Sequence, residues 1–223
     1  DVYKRQVVFA SNSSLCGGFN ANVIRHLNEV VAEYEPKVGR ENILIYPVGR
    51  KVADAVKKME GLTAAGDYQH MSGKPNYQEA ADLAAELMTR FASGEIQQVE
   101  LLYNHFKSTS TQVLTRETYL PLDLSAGHTD EKGEEQEAMQ ADYLIEPSPE
   151  QVMEELLPKV LRMKMYTVLL DSTASEHAAR TMAMQIATDN ANDLIQELTL
   201  IYNKSRQQAI TNELLDIVGG SMS

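Results

Sequence analysis

Between Pro158 and Gly219 the chain runs for 60 residues without a glycine or a proline. Glycine weakens a helix through its backbone entropy and proline through its missing N–H, so a tract that avoids both for this long reads as helix. The pattern predicts a helix from Asp171 or Ser175 to Val218, about 65 Å long at 1.5 Å per residue. The globular part of a 223-residue chain is narrower than that, so the helix must project. Met184, Ala187, Ala191, Leu194, Leu198 and Ile201 recur at alternating steps of three and four, which is the seam of a coiled coil. The seam turns polar at Ser205 and Gln208, and apolar residues return at Leu214, Leu215, Ile217 and Val218. An exposed apolar stripe associates, so the seam needs a partner. No second long heptad tract occurs in this chain. The partner is a second copy, a helix upstream of residue 1, or another subunit.

The rest of the chain alternates between two periods. Short β-branched or apolar runs at residues 7–10, 43–46 and 99–103 read as strands. Helical spacing marks residues 21–35, with Val23, Leu27, Val30, Val31 and Tyr34 on one face, then residues 51–59 and 77–91. Strands alternating with helices of this length predict an α/β domain with a Rossmann-like parallel sheet, joined by right-handed crossovers. The Thr-rich run 111–120 reads as one more strand, at an edge. The expected organisation is an α/β foot over residues 1–160 and a long C-terminal coiled-coil helix over 161–223.

Charge and motif content narrow the function. The net charge is −12, which repels phosphate backbones and excludes nucleic acid as a partner. Residues 128–155 hold ten acidic side chains against Lys132 alone, the pattern of a solvated acidic stretch. The run Leu15-Cys16-Gly17-Gly18-Phe19-Asn20 sits between a strand and a helix, where phosphate loops also sit. It lacks both glycine fingerprints and a following lysine, which favours a tight turn over a nucleotide cradle. Cys16 reads as a small packed residue, having no identifiable histidine partner to activate it. The five histidines lack metal-ligand spacing and no second cysteine exists, so neither a metal nor a cofactor is expected.

The helix end is the most informative stretch. Thr188-Asp189-Asn190-Ala191, Tyr202-Asn203-Lys204-Ser205-Arg206-Gln207 and Ile210-Thr211-Asn212-Glu213-Leu214-Leu215-Asp216-Ile217-Val218-Gly219-Gly220 closely resemble the gamma subunits of rotary ATP synthases. Ser175-Glu176-His177-Ala178-Ala179-Arg180, Asp142-Tyr143-Leu144-Ile145-Glu146-Pro147 and the Leu15 to Asn20 run resemble segments of the same family. Two departures stand out. Asn12-Ser13-Ser14 replace the family's Asp-x-Gly, and the family's long N-terminal helix, the expected companion of the seam, has no counterpart here. Residues 1–6 are accordingly expected to be a non-native leader.

The resemblance implies a non-catalytic rotor in the central stalk, coupling proton-driven rotation to ATP synthesis or hydrolysis in a head of alpha and beta subunits. Arg206, Gln207, Thr211 and Glu213 would contact beta-subunit loops, with Arg180 meeting an acidic beta segment lower down. Leu214, Leu215, Ile217 and Val218 would seat in the head. Tyr143 and Glu146 would lie on the foot that meets the membrane c-ring, near the epsilon subunit. The expected location is peripheral, on the cytoplasmic face of a bacterial inner membrane. The rival reading is an α/β enzyme with a helical oligomerisation tail, for which no acid, base or nucleophile constellation is found. A homodimeric coiled-coil scaffold is disfavoured by Arg180 and by the polar Ser205 and Gln208.

Overall fold

The computed structural model describes residues 4–122 and 148–221. Five strands form one sheet: β1 (Lys4–Phe9), β2 (Ile43–Val48), β3 (Thr63–Ala64), β4 (Gln98–Ser108) and β5 (Thr111–Leu120), in the order β3-β2-β1-β4-β5. The first four are mutually parallel. Edge strand β5 runs antiparallel, because only Thr109 and Ser110 join it to β4 and so short a link makes a hairpin. Lys4, Arg5 and Gln6, expected in a leader, are ladder members of the central strand and pair with both β2 and β4.

Helices cover both faces. Helix α1 (Phe19–Val38) and helix α2 (Arg50–Val56) bury Val23, Leu27, Val30, Val31 and Val52 against Val8, Ile43, Ile45 and Leu102 of the sheet. Helix α3 (Tyr77–Ala92), capped by the Asn76 side chain accepting from the Gln78 N–H at 2.8 Å, lies on the other face. There it shares a core with the lower part of α4 (Pro149–Ser221), where Leu161, Met165, Val168 and Leu169 meet Leu83, Leu87, Val99 and Leu101.

Helix α4 has 73 residues and starts well before the expected Asp171 or Ser175. Its first residue, Pro149, is tolerated because the first-turn N–H has no intrahelical partner. Pro158 lies inside the helix, just as Pro36 lies inside α1, which runs on to Val38 before Gly39 ends it. At 1.5 Å per residue α4 is about 110 Å long.

One polar cluster fastens β5 to the sheet. Buried Glu100, 6% exposed, accepts from Tyr34 Oη at 2.6 Å, Gln6 Nε2 at 3.2 Å and the Arg116 guanidinium at 3.1 Å. Arg116 also donates to Tyr34 Oη and pairs with Glu33 at 2.7 Å. Burial and the hydrogen bond to Glu100 push the Tyr34 hydroxyl up to about 12, and the Arg116 hydrogen bond and charge hold the Glu33 carboxyl below its usual range.

Candidate functional site

Within the described residues, the interface residues singled out by sequence fall on two stretches of α4. On the lower stretch, the Arg180 guanidinium pairs with Glu176 at 2.7 Å and donates to Ser13 Oγ at 2.7 Å. Glu176 is itself buried, 3.4 Å from the Ser72 hydroxyl. Arg180 therefore ties the helix to the loop between β1 and α1, leaving 19% of its side chain exposed.

That loop is built around Asn20. Its amide donates to Ser13 O at 3.2 Å and to Cys16 Sγ at 3.0 Å, while its oxygen accepts from the Ser11 N–H at 3.0 Å. Cys16 is buried inside this network. Gly17 takes a φ of +57°, where a glycine avoids the Cβ penalty. Leu15 takes a φ of 67° without that freedom and stands 76% exposed, a strained position that the surrounding hydrogen bonds maintain. An open cleft of about 500 Å³ separates the loop from α4 at Ala179, Met182 and Ala183, and its lining includes no lysine or arginine.

The upper stretch is different. From Met184 upward the seam is open to solvent, and Leu194, Leu198 and Ile201 are exposed. At 100° per residue, Gln207, Thr211, Leu214 and Val218 share one face, with Arg206, Glu213 and Ile217 on the adjoining one. Each face therefore carries polar groups below and aliphatic groups toward the tip, Leu214 and Val218 on the first and Ile217 on the second. Thr211 donates its hydroxyl to Gln207 O at 2.8 Å, which leaves its methyl and a lone pair for any partner. Leu214, Leu215, Ile217 and Val218 are 57–68% exposed. A helix end destined for water carries polar groups; one with four large aliphatic groups is shaped to be surrounded.

Tyr143 and Glu146 lie outside the described residues. Among the described residues no group of acids, histidines or cysteine could hold a metal, and no helix is long and apolar enough to cross a membrane. Sequence reasoning used Asp171 and Ser175 as candidate helix starts, and Ser175 as the head of a family-like run, without giving either a contact; both join α4 to β4. Their four-residue spacing, about one helical turn, is the signal that pairs them.

Fold and site together define a stalk-like protein: an α/β domain carrying a long helix whose apolar upper end is exposed. The family described as ATP synthase matches residues 3–223. An ATP synthase gamma chain of Phocaeicola vulgatus is 70% identical over 217 residues, covering 97% of this chain and 73% of the relative. Its counterpart in Bacteroides fragilis is 59% identical with the same coverage. The chain belongs to the ATP synthase gamma chain family.

Solved structures share the fold. A chain of the Euglena gracilis mitochondrial ATP synthase aligns over 99% of this chain and 72% of its own length, with a TM-score of 0.62 at 23% identity. A chain from the Tetrahymena thermophila mitochondrial ATP synthase central stalk and c-ring covers 83% and 76%, with a TM-score of 0.56 at 22% identity.

Proposed function

We propose that this chain works as the non-catalytic rotor of an F-type ATP synthase, with residues 161–223 as shaft and residues 1–160 as foot. The observation that carries this reading is the exposed aliphatic tip above a polar girdle, on a helix continuous from Pro149 to Ser221. One asymmetric rod in a head of alternating alpha and beta subunits holds the three catalytic sites in different states. Turning the rod cycles them. Such a rod needs stiffness and directional contacts, and chemistry of its own is unnecessary.

In this assignment Arg206 and Glu213 meet beta-subunit loops from one helix face, and Gln207 and Thr211 from the next. Leu214, Leu215, Ile217 and Val218 fill an apolar bearing. Arg180, already paired with Glu176, offers its remaining donors to an acidic beta segment. The seam from Met184 to Ile201 takes a companion gamma helix. Tyr143 and Glu146 belong to the foot surface facing the c-ring and the epsilon subunit, which puts the chain on the cytoplasmic face of the inner membrane.

Co-purification with an alpha–beta head, with and without a companion helix supplied, tests the reading. Retention in both cases, or only with the helix, supports it. No retention in either case, together with nucleotide turnover by the chain alone, would restore the rival enzyme reading.

A further inference from the structure

Strand β4 runs past the end of its parallel neighbour. The β1 pairing stops at Leu102, while β4 continues to Ser108 with β5 on its other side. The backbone groups of residues 104–106 that β1 does not reach are taken over by α4. Asp171 accepts from the Phe106 N–H through Oδ1 at 2.8 Å and holds His105 Nδ1 through Oδ2 at 2.6 Å. One turn higher, Ser175, with no exposed surface, donates its hydroxyl to Asn104 O at 2.8 Å. Two side chains four residues apart thus stitch the helix to one strand edge, satisfying polar groups that would otherwise be orphaned.

The stitch differs in kind from the apolar packing below it, where α4 buries Leu161, Met165, Val168 and Leu169. It is the part of the polar seam that grips strand backbone through both an N–H and a C=O; Tyr119 to the Leu161 carbonyl and Lys164 to Glu117 lie below it, and Glu176 to Ser72 and Arg180 to Ser13 lie above. Apolar packing opposes removal of the helix and any large roll that would expose its buried face, but without preferred directions it fixes the rotational register only as closely as adaptable side chains allow. Hydrogen bonds to fixed backbone atoms are directional and oppose rolling. We infer that Asp171 and Ser175 key the shaft to the foot, setting the rotational register of α4 so that torque on the α/β domain turns the upper helix without slip. This rests on the rotor reading and names the positioning residues it requires.

The test uses gamma chain assembled in ATP synthase in membrane vesicles, measuring ATP hydrolysis and ATP-driven proton pumping per assembled complex. With Asp171→Ala plus Ser175→Ala, hydrolysis is expected to stay within about twofold of wild type while pumping falls to about a fifth. Asp171→Asn, which keeps an acceptor for the Phe106 N–H, is expected to recover most of the pumping. Variants that pump as well as wild type, or that lose hydrolysis and pumping in proportion, would overturn the inference. Should the double variant fail to assemble, amide exchange at Phe106 in the Asp171→Ala chain decides. Exchange about tenfold faster is expected, and an unchanged rate overturns the stitch. Failure of the rotor reading would be visible already in the wild type, as a chain that supports no pumping.

Discussion

The two halves of helix α4 have similar apolar content and opposite fates. Below residue 180, Leu161, Met165, Val168 and Leu169 are buried against α3 and β4, and the polar Asp171, Ser175 and Glu176 all have partners in the α/β domain. Above residue 184, Leu194, Leu198, Ile201, Leu214 and Leu215 are exposed. The lower half is part of a core, and its residues answer to that core. The upper half is held by backbone hydrogen bonds and by side-chain bonds within the helix itself, such as Thr188 to Met184 O and Thr199 to Ile195 O, and its apolar side chains have no cover among the described residues. Stability and function are thereby separated along one helix, and substitutions should sort the same way.

The largest effect is expected where charge is buried in the domain. Arg116→Met leaves the Glu100 carboxylate in place without its cation, and should cost about 3–5 kcal/mol in urea unfolding. The matched change on the shaft, Arg206→Ala, should stay within about 0.5 kcal/mol. Equal costs would erase the contrast. Next comes apolar packing. Leu169→Ala in the lower half should cost about 2–5 kcal/mol, while Leu198→Ala in the isolated chain should leave the unfolding midpoint unchanged.

A smaller effect is expected in alkali. The Tyr34 hydroxyl titrates near 12 when folded, against 10.0 as its ordinary value. Between those values the unfolded chain has released this proton and the folded chain still holds it, so stability falls as pH rises through that window. Tyr34→Phe should flatten the decline in a pH series of unfolding midpoints. The smallest effect on stability belongs to Arg206→Ala and Gln207→Ala in the assembled enzyme. Both should lower coupled ATPase activity while the far-ultraviolet circular dichroism of the α/β domain stays as in wild type. Unchanged assembly and turnover in both variants would remove the contact assignment.

The sequence disclosed these regions unevenly, for physical reasons. Helix α1 was legible because Val23, Leu27, Val30, Val31 and Tyr34 all face one core, giving a clean period. The upper half of α4 was legible because its seam and tip break the usual polar surface. The lower half was hidden. Apolar residues lie on its buried face at Leu161 and Met165 and on its exposed face at Leu156, Val160 and Met163, which blurs the period. Pro158 reads as a stop although the helix passes through it. Two-residue β3 is too short to leave a pattern, and the polar start of β1 at Lys4, Arg5 and Gln6 masks a central strand whose lower end carries a buried ionic cluster. The Asp171 and Ser175 stitch depends on where β1 stops, a tertiary fact that no local pattern encodes.

The central claim is that the bare upper half of α4 becomes enclosed when the chain meets its partners. Hydrogen exchange across residues 202–218, compared between the chain alone and the chain assembled with an alpha–beta head, measures this directly. Slowing by about tenfold or more is expected over that stretch, with little change at residues 157–176, which are already packed. Exchange over residues 202–218 that stays as fast in the assembly as in the isolated chain would contradict it.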